Sequence, residues 1–185
     1  MIFFTADCHF GHENIIRHCS RPFASADEMD AALIDNWNAT VTPNDEIYIL
    51  GDFTMRPAAE AHKYLSCLNG RKYYIIGNHD RFLKGFEPYM SDFEWVKAYH
   101  VLHIEGRWLV LFHFPILEWY QFYRSGIHLY GHVHNNPQSM KRLDAMTGAA
   151  FNVGVDVNNF TPVSINEIFH KASQVSFKPQ HRNNI

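Results

Sequence analysis

Apolar runs rich in β-branched and aromatic residues recur along the chain, at 2–6, 46–50, 72–76, 108–112, 127–130 and 151–157. Most of them stop at Gly, Asp or His rather than at an ordinary polar loop, and each reads as a buried strand. Between the first two, Ser25-Ala-Asp-Glu28 is a capping-box pattern followed by Met29, Leu33, Ile34 and Trp37 at helical spacing, which predicts a helix. Pro57 can open a second helix with Leu65 and Leu68 on one face and Gly70 as its C-cap. The opening rhythm is therefore β-α-β-α-β. From 96 to 112 it changes to two alternating runs around Glu105-Gly106-Arg107, which predicts a hairpin and a sheet of mixed strand direction. Ser164-Ile-Asn-Glu167 offers another capping box, opening a short helix that ends near Ala172. Residues 173–185 are mostly polar and read as a frayed tail beyond a single domain of 1–172.

Composition narrows the class. The 185 residues suit one domain with a substantial core, and 46% hydrophobic with 15% aromatic content is too rich for a disordered chain. A formal charge of −3 lacks the broad basic footprint of non-specific nucleic-acid or anionic-membrane binders, so an anionic substrate needs a local attractor. Three cysteines without CxxC spacing form neither a disulfide framework nor a thiolate zinc site. The start, Met-Ile-Phe-Phe-Thr-Ala up to Asp7, lacks the basic opening and apolar length of a signal peptide, and no run approaches a membrane span. A soluble cytoplasmic protein is expected.

The polar residues that end the strands carry the chemistry. Asp7 and His9 follow the first run, and in extended backbone residues two apart project to one side; His132 and His134 repeat the pattern after Gly131. Asp52 follows Tyr-Ile-Leu-Gly, Asn78 follows Tyr-Ile-Ile-Gly, and His113 follows Leu-Val-Leu-Phe. Ligand sites of α/β sheets lie beyond such strand ends. Four imidazoles, two carboxylates and one amide are too many ligands for one ion and suit two that share a carboxylate. Mixed nitrogen and oxygen ligation without thiolate favours Mn²⁺, Fe, Zn²⁺, Co²⁺ or Ni²⁺ over Ca²⁺, with Mn²⁺ the first choice. Ions about 3.5–4 Å apart can hold a hydroxide and clamp a phosphoryl group.

With Asp7-Cys-His9, Gly51-Asp52, Gly77-Asn-His-Asp80, His113 and Gly131-His-Val-His134 in this order, residues 1–170 resemble the calcineurin-like metallophosphoesterases. The resemblance implies an α/β fold: a four-layer α-β-β-α sandwich of two mixed β-sheets with helices on both outer sides. It also implies that Asp7, His9, Asp52 and His134 hold one ion and Asp52, Asn78, His113 and His132 the other. His79 would contact the phosphoryl group and assist the leaving oxygen, with Asp80 orienting its imidazole. The implied reaction is hydrolysis of a phosphodiester or phosphomonoester by a metal-bridging hydroxide, the diester favoured. The alternatives are a metal-binding interaction scaffold with little turnover and an end-processing nuclease within a larger assembly. Gly11 stands one place later than in members reading Asp-x-His-Gly, and Phe53-Thr-Met replaces the acidic or small residue common after Gly-Asp.

Nearness to the motifs makes His12, Arg21, Arg81 and Asn135 candidates for substrate contact, His12 being equally able to cap a turn. His128, His100 and His103, inside apolar strands, read as hydrogen-bonded structural residues, and His18, His62, His170 and His181 as solvated ones. Asp156 and Asn158 could support the site, but a turn role is favoured. The basic pairs Arg71-Lys72 and Lys141-Arg142 read as surface.

Overall fold

The computed structural model describes residues 1–144 and 148–175, so the part of the polar tail expected over 173–185 that lies beyond 175, His181 included, is outside the described residues. In chain order the elements are β1 (Ile2–Thr5), α1 (Glu13–His18), α2 (Ala26–Thr40), β2 (Glu46–Leu50), α3 (Ala58–Cys67), β3 (Arg71–Ile75), β4 (Trp95–Lys97), β5 (Tyr99–Ile104) and β6 (Arg107–Phe112). These are followed by β7 (Ile127–Tyr130), α4 (Pro137–Asp144), β8 (Ala149–Asn152), β9 (Val163–Ser164) and α5 (Ile165–Ser173).

The strands form two mixed sheets. One has the order β4-β3-β2-β1-β9, parallel except for β9, and the other β5-β6-β7-β8, parallel except for β5. Alternation along β1 and β2 explains how the first sheet is covered twice. Phe3, Ile47 and Ile49 join a core with Met29, Leu33 and Trp37 of α2 and with Ala61 and Leu65 of α3. Phe4, Tyr48 and Leu50 point the other way into a core shared with Leu109, Leu111, Ile127 and Leu129 of the second sheet. On the far face of that sheet, Trp119 lies against His128 and its indole N–H donates to the Gly126 carbonyl at 2.8 Å. Here the segment before β7 covers the sheet through Trp119. Helix α5 inserts Ile165, Ile168 and Ala172 into the core between the sheets.

The turn chemistry matches the sequence where the signals are local. The β5–β6 hairpin closes on Glu105 and Gly106, both at positive φ (50° and 76°), as a primed two-residue turn requires. The α5 capping box is complete: the Glu167 amide donates to Ser164 Oγ at 3.2 Å and the Ser164 amide to Glu167 Oε2 at 2.8 Å. Ser164→Ala should therefore destabilise the protein by about 1 kcal/mol in urea unfolding, with the dependence on urea unchanged.

Three expectations need correction. Residues 151–157 are not one strand: β8 stops at Asn152 because its side chain accepts from the Gly154 amide at 2.8 Å, and 155–157 form a 3₁₀ turn. Gly70 is not the C-cap of α3, which ends on extended Leu68; at φ +91° it sits where a Cβ would lie 2.8 Å from Val41 Cγ1. The segment from 96 to 112 belongs to both sheets, since β4 pairs with β3 and the chain changes sheet at Ala98. Among the described residues no helix is long and apolar enough to cross a membrane.

Candidate metal centre

The seven anticipated ligands follow strand ends closely. Asp7 is two residues past β1, Asp52 two past β2, Asn78 three past β3, His113 one past β6 and His132 two past β7. The pleat does not aim them, however. Asp7, His9, Asp52, His132 and His134 all have left-handed backbone, with φ of 58°, 52°, 54°, 70° and 49°. The expected alternation of extended residues is thus replaced by a coiled loop in which both Asp7 and His9 turn inward. Such a conformation costs about 1–3 kcal/mol per residue, persists only where surroundings impose it, and is tolerated best by Asn, Asp and His. The imposing contacts are the Asp7 amide on the Gly51 carbonyl (3.0 Å), the His9 amide on that of Asp52 (3.0 Å) and the Phe10 amide on that of Phe53 (2.8 Å). Glycine is required where backbones crowd the carboxylates. A Cβ on Gly131 would lie 2.6 Å from Asp7 Oδ2, and one on Gly77 would run into Asp52 Oδ1.

The side chains meet in two adjoining groups. Asp7, His9 and His134 bring one donor atom each within 4.8 Å of one another, and Asp52, His113 and His132 do the same. Asp52 lies between the groups, its Oδ2 3.4 Å from His113 Nε2 and 3.8 Å from His9 Nε2. Asn78 Oδ1 completes the second group, 2.9 Å from His113 Nε2 and 2.8 Å from His132 Nδ1. His113 Nδ1 is 2.7 Å from the Leu50 carbonyl, which fixes the proton there and turns the Nε2 lone pair into the group. Both ring nitrogens of His9 are buried without a hydrogen-bond partner among the described residues. Buried polar atoms are rarely left so, and nitrogen and carboxylate donors converging on an orphaned imidazole fit a divalent or transition cation.

A third triplet, Cys19, His134 and Asp156, also has ligand spacing. It reads better as a hydrogen-bond network, because Arg21 and His134 already take both oxygens of Asp156.

Burial sets the protonation of the centre. It pushes Asp7 up to about 6 against the opposing charges of His134 and His113. Burial would also raise Asp52, but the hydrogen bond and charge of His113 bring it down to about 2. Burial holds His9 down to about 3, keeping both nitrogens free of charge at neutral pH. For His134 burial is outweighed by its hydrogen bond to Asp156, and its pKa rises to about 10. Opposed shifts in one cleft mark a functional site more often than a structural one.

No protein-family model matches the chain. The uncharacterized protein MJ1445 of Methanocaldococcus jannaschii is 34% identical over 169 residues, covering 90% of this chain and 88% of that one. The chain belongs to that protein's family. Its fold is also that of a protein of unknown function, AQ665 from Aquifex aeolicus, with TM-score 0.72 and 27% identity over 92% of this chain and 98% of that one. The E. coli phosphoesterase YfcE, at TM-score 0.38 and 18% identity over 83% of this chain and 77% of that one, is too distant to bear on function.

In this member of the MJ1445 family the remaining site residues divide sharply. His79 is half-buried, its ring centre 5.7 Å from that of His9; its backbone amide donates to Asp52 Oδ1 at 2.8 Å, while its imidazole bonds to nothing among the described residues. Asp80 does not orient that imidazole. Its carboxylate turns back to accept from the amides of Asp52 and Phe53 at 3.1 Å each and from Gly77, holding the β2 and β3 loops together. His12 begins α1 without a side-chain cap bond, so the capping role fails; its buried Nδ1 has no partner among the described residues and its ring lies 5.5 Å from that of His9.

Arg21 is no substrate contact. Its side chain is fully buried, forked onto Asp156 and bonded to the carbonyls of Asp7 and Cys8. Asn135 is engaged too, donating to the Cys19 carbonyl at 2.7 Å, whereas Arg81 is exposed on the turn after the Asn78-His79 loop. His128 is structural as expected, between the Val110 and Phe114 carbonyls. Asp156 was underrated as a turn residue: its Oδ2 lies 2.7 Å from His134 Nδ1. Its signal was present in the sequence, since Val153-Gly-Val-Asp156 follows an apolar run just as the other site residues do.

Proposed function

We propose that this chain is a phosphoesterase that works with two cations, Mn²⁺ foremost, and that residues 1–172 are the unit that does so. The observation that carries the reading is the pair of donor groups joined at Asp52, with an uncommitted imidazole, His79, beside them. Cations bound there would supply Lewis acidity to a phosphoryl oxygen and acidify a water molecule. Asp7, His9 and His134 would hold one and Asn78, His113 and His132 the other, with the Asp52 carboxylate shared. The protein's own work is positional. Leu50 and Asp156 fix the rings of His113 and His134, and the Asp80 carboxylate keeps the loops carrying Asp52 and Asn78 in register. His79, tethered by its backbone to Asp52, is free to give a proton to the leaving oxygen.

A diester is favoured over a monoester. Asn78 is exposed and His79, His132 and His134 are half-buried, so the donors open onto solvent and leave room for a substituent on each side of the phosphorus. The test is hydrolysis of bis-p-nitrophenyl phosphate and p-nitrophenyl phosphate by Mn²⁺-loaded protein, with metal analysis of the same sample. Turnover of the diester above the monoester is expected; inactivity on both would sink the proposal.

A further inference from the structure

The buried ion pair beside the centre has a geometry that stability alone does not require. Arg21 Nε and Nη2 donate to the two oxygens of Asp156 at 2.8 and 2.9 Å, a bidentate fork. The same guanidinium also donates from Nη2 to the Asp7 carbonyl at 2.8 Å and from Nη1 to the Cys8 carbonyl at 2.9 Å. Met29 Sδ, 3.2 Å from Nη1, and the Phe160 ring, 5.9 Å from the guanidinium carbon, close its apolar surroundings. Asp156 in turn holds His134 Nδ1 at 2.7 Å, and Asn152 fixes the backbone beneath by donating to the His134 carbonyl at 3.0 Å.

One side chain thus connects the two loops that carry the first donor group. Asp7 and His9 come from the end of β1, His134 from the loop after β7, and Arg21 is bound to both, directly to the first and through Asp156 to the second. Its two carbonyl contacts fall on left-handed Asp7 and on Cys8, which lies between left-handed Asp7 and His9, where the backbone needs external support. The second donor group has a separate link, the Asp80 carboxylate that joins the Asp52 and Asn78 loops, with His113 resting on Leu50.

We infer that Arg21 and Asp156 are positioning residues dedicated to the first cation, setting its affinity by holding Asp7, His9 and His134 in mutual register. The inference rests on the two-cation reading but is tested by binding, without turnover. Partners one bond removed from a ligand commonly govern affinity by about 10–100-fold. Mn²⁺ is titrated calorimetrically into the full chain stripped with chelator, with circular dichroism melts to establish folding. Wild type should take up two equivalents. Arg21→Ala and Asp156→Asn should each weaken one equivalent by about 10–100-fold and leave the other within about threefold. Arg21→Lys, which keeps the charge but not the fork, should weaken the same equivalent to a smaller extent. If Arg21→Ala does not fold, Asp156→Asn, nearly isosteric, carries the comparison. Unchanged binding of both equivalents, or equal weakening of both, would overturn the assignment. Failure of wild type to hydrolyse phosphate esters would instead sink the phosphoesterase reading and leave the calorimetric result standing.

Discussion

Replacing His79 by Ala should lower kcat for a phosphodiester by about 10²–10⁴-fold while both equivalents of Mn²⁺ remain bound. The imidazole lies beside the His9 ring yet makes no hydrogen bond among the described residues, so its removal leaves no donor atom of either group without support. The backbone amide that donates to Asp52 Oδ1 survives the substitution. A proton donor matters most where the leaving oxygen is a poor leaving group. The loss should accordingly be larger for a diester that expels a sugar hydroxyl than for one that expels p-nitrophenolate. Equal losses on the two substrates, or a parallel loss of metal, would assign His79 to the metal-holding set.

Asp7→Asn should produce opposite effects with and without metal. Burial raises the Asp7 carboxyl from 3.8 to about 6, which at about 1.36 kcal/mol per pH decade is about 3 kcal/mol against its ionised form. The sign follows from linkage. A carboxyl with a raised folded-state pKa binds its proton more tightly in the native state, so its contribution is fully present below pH 3.8 and is lost as pH rises through about 6. Asn carries no such charge. In EDTA at pH 8 the variant should melt about 6–12 °C above wild type, and the gap should close towards pH 4. With Mn²⁺ the order should reverse, because only wild type gains from the cation. A variant no more stable than wild type in EDTA at pH 8 would contradict the charge assigned to Asp7.

Most strands, and the polar residues gathered at their ends, were readable because both are written in short stretches: an apolar run, often a glycine, then Asp, Asn or His. What escaped was information held by distant residues. Arg21 beside Pro22 looks like a surface charge near a motif, and nothing local announces that Asp156, 135 positions on, will bury it. Asp80 departs from expectation for the converse reason. The family resemblance implies a partnership with His79, but the turn of the loop sends the carboxylate to the amides of Asp52 and Phe53 instead. Alternation failed at the ligands because β1, β2 and β7 stop at Thr5, Leu50 and Tyr130, short of Asp7, Asp52 and His132, where left-handed backbone takes over. The change of sheet at Ala98 was likewise invisible, since β4 and β5 form one alternating stretch whose partners lie on opposite sides of the core.

The span of the centre along the chain bears on when it can form. Asp7 is synthesised more than a hundred positions ahead of His134, and the Asp156 that steadies His134 comes later still. The β1 loop also leans on Gly154, through the isolated bridge between Ala6 and Gly154. A nascent chain therefore carries scattered imidazoles and carboxylates but no assembled pocket until Asp156 has left the ribosome and both sheets have docked. A cation bound there would come last, as a seal on a finished fold rather than a template for it.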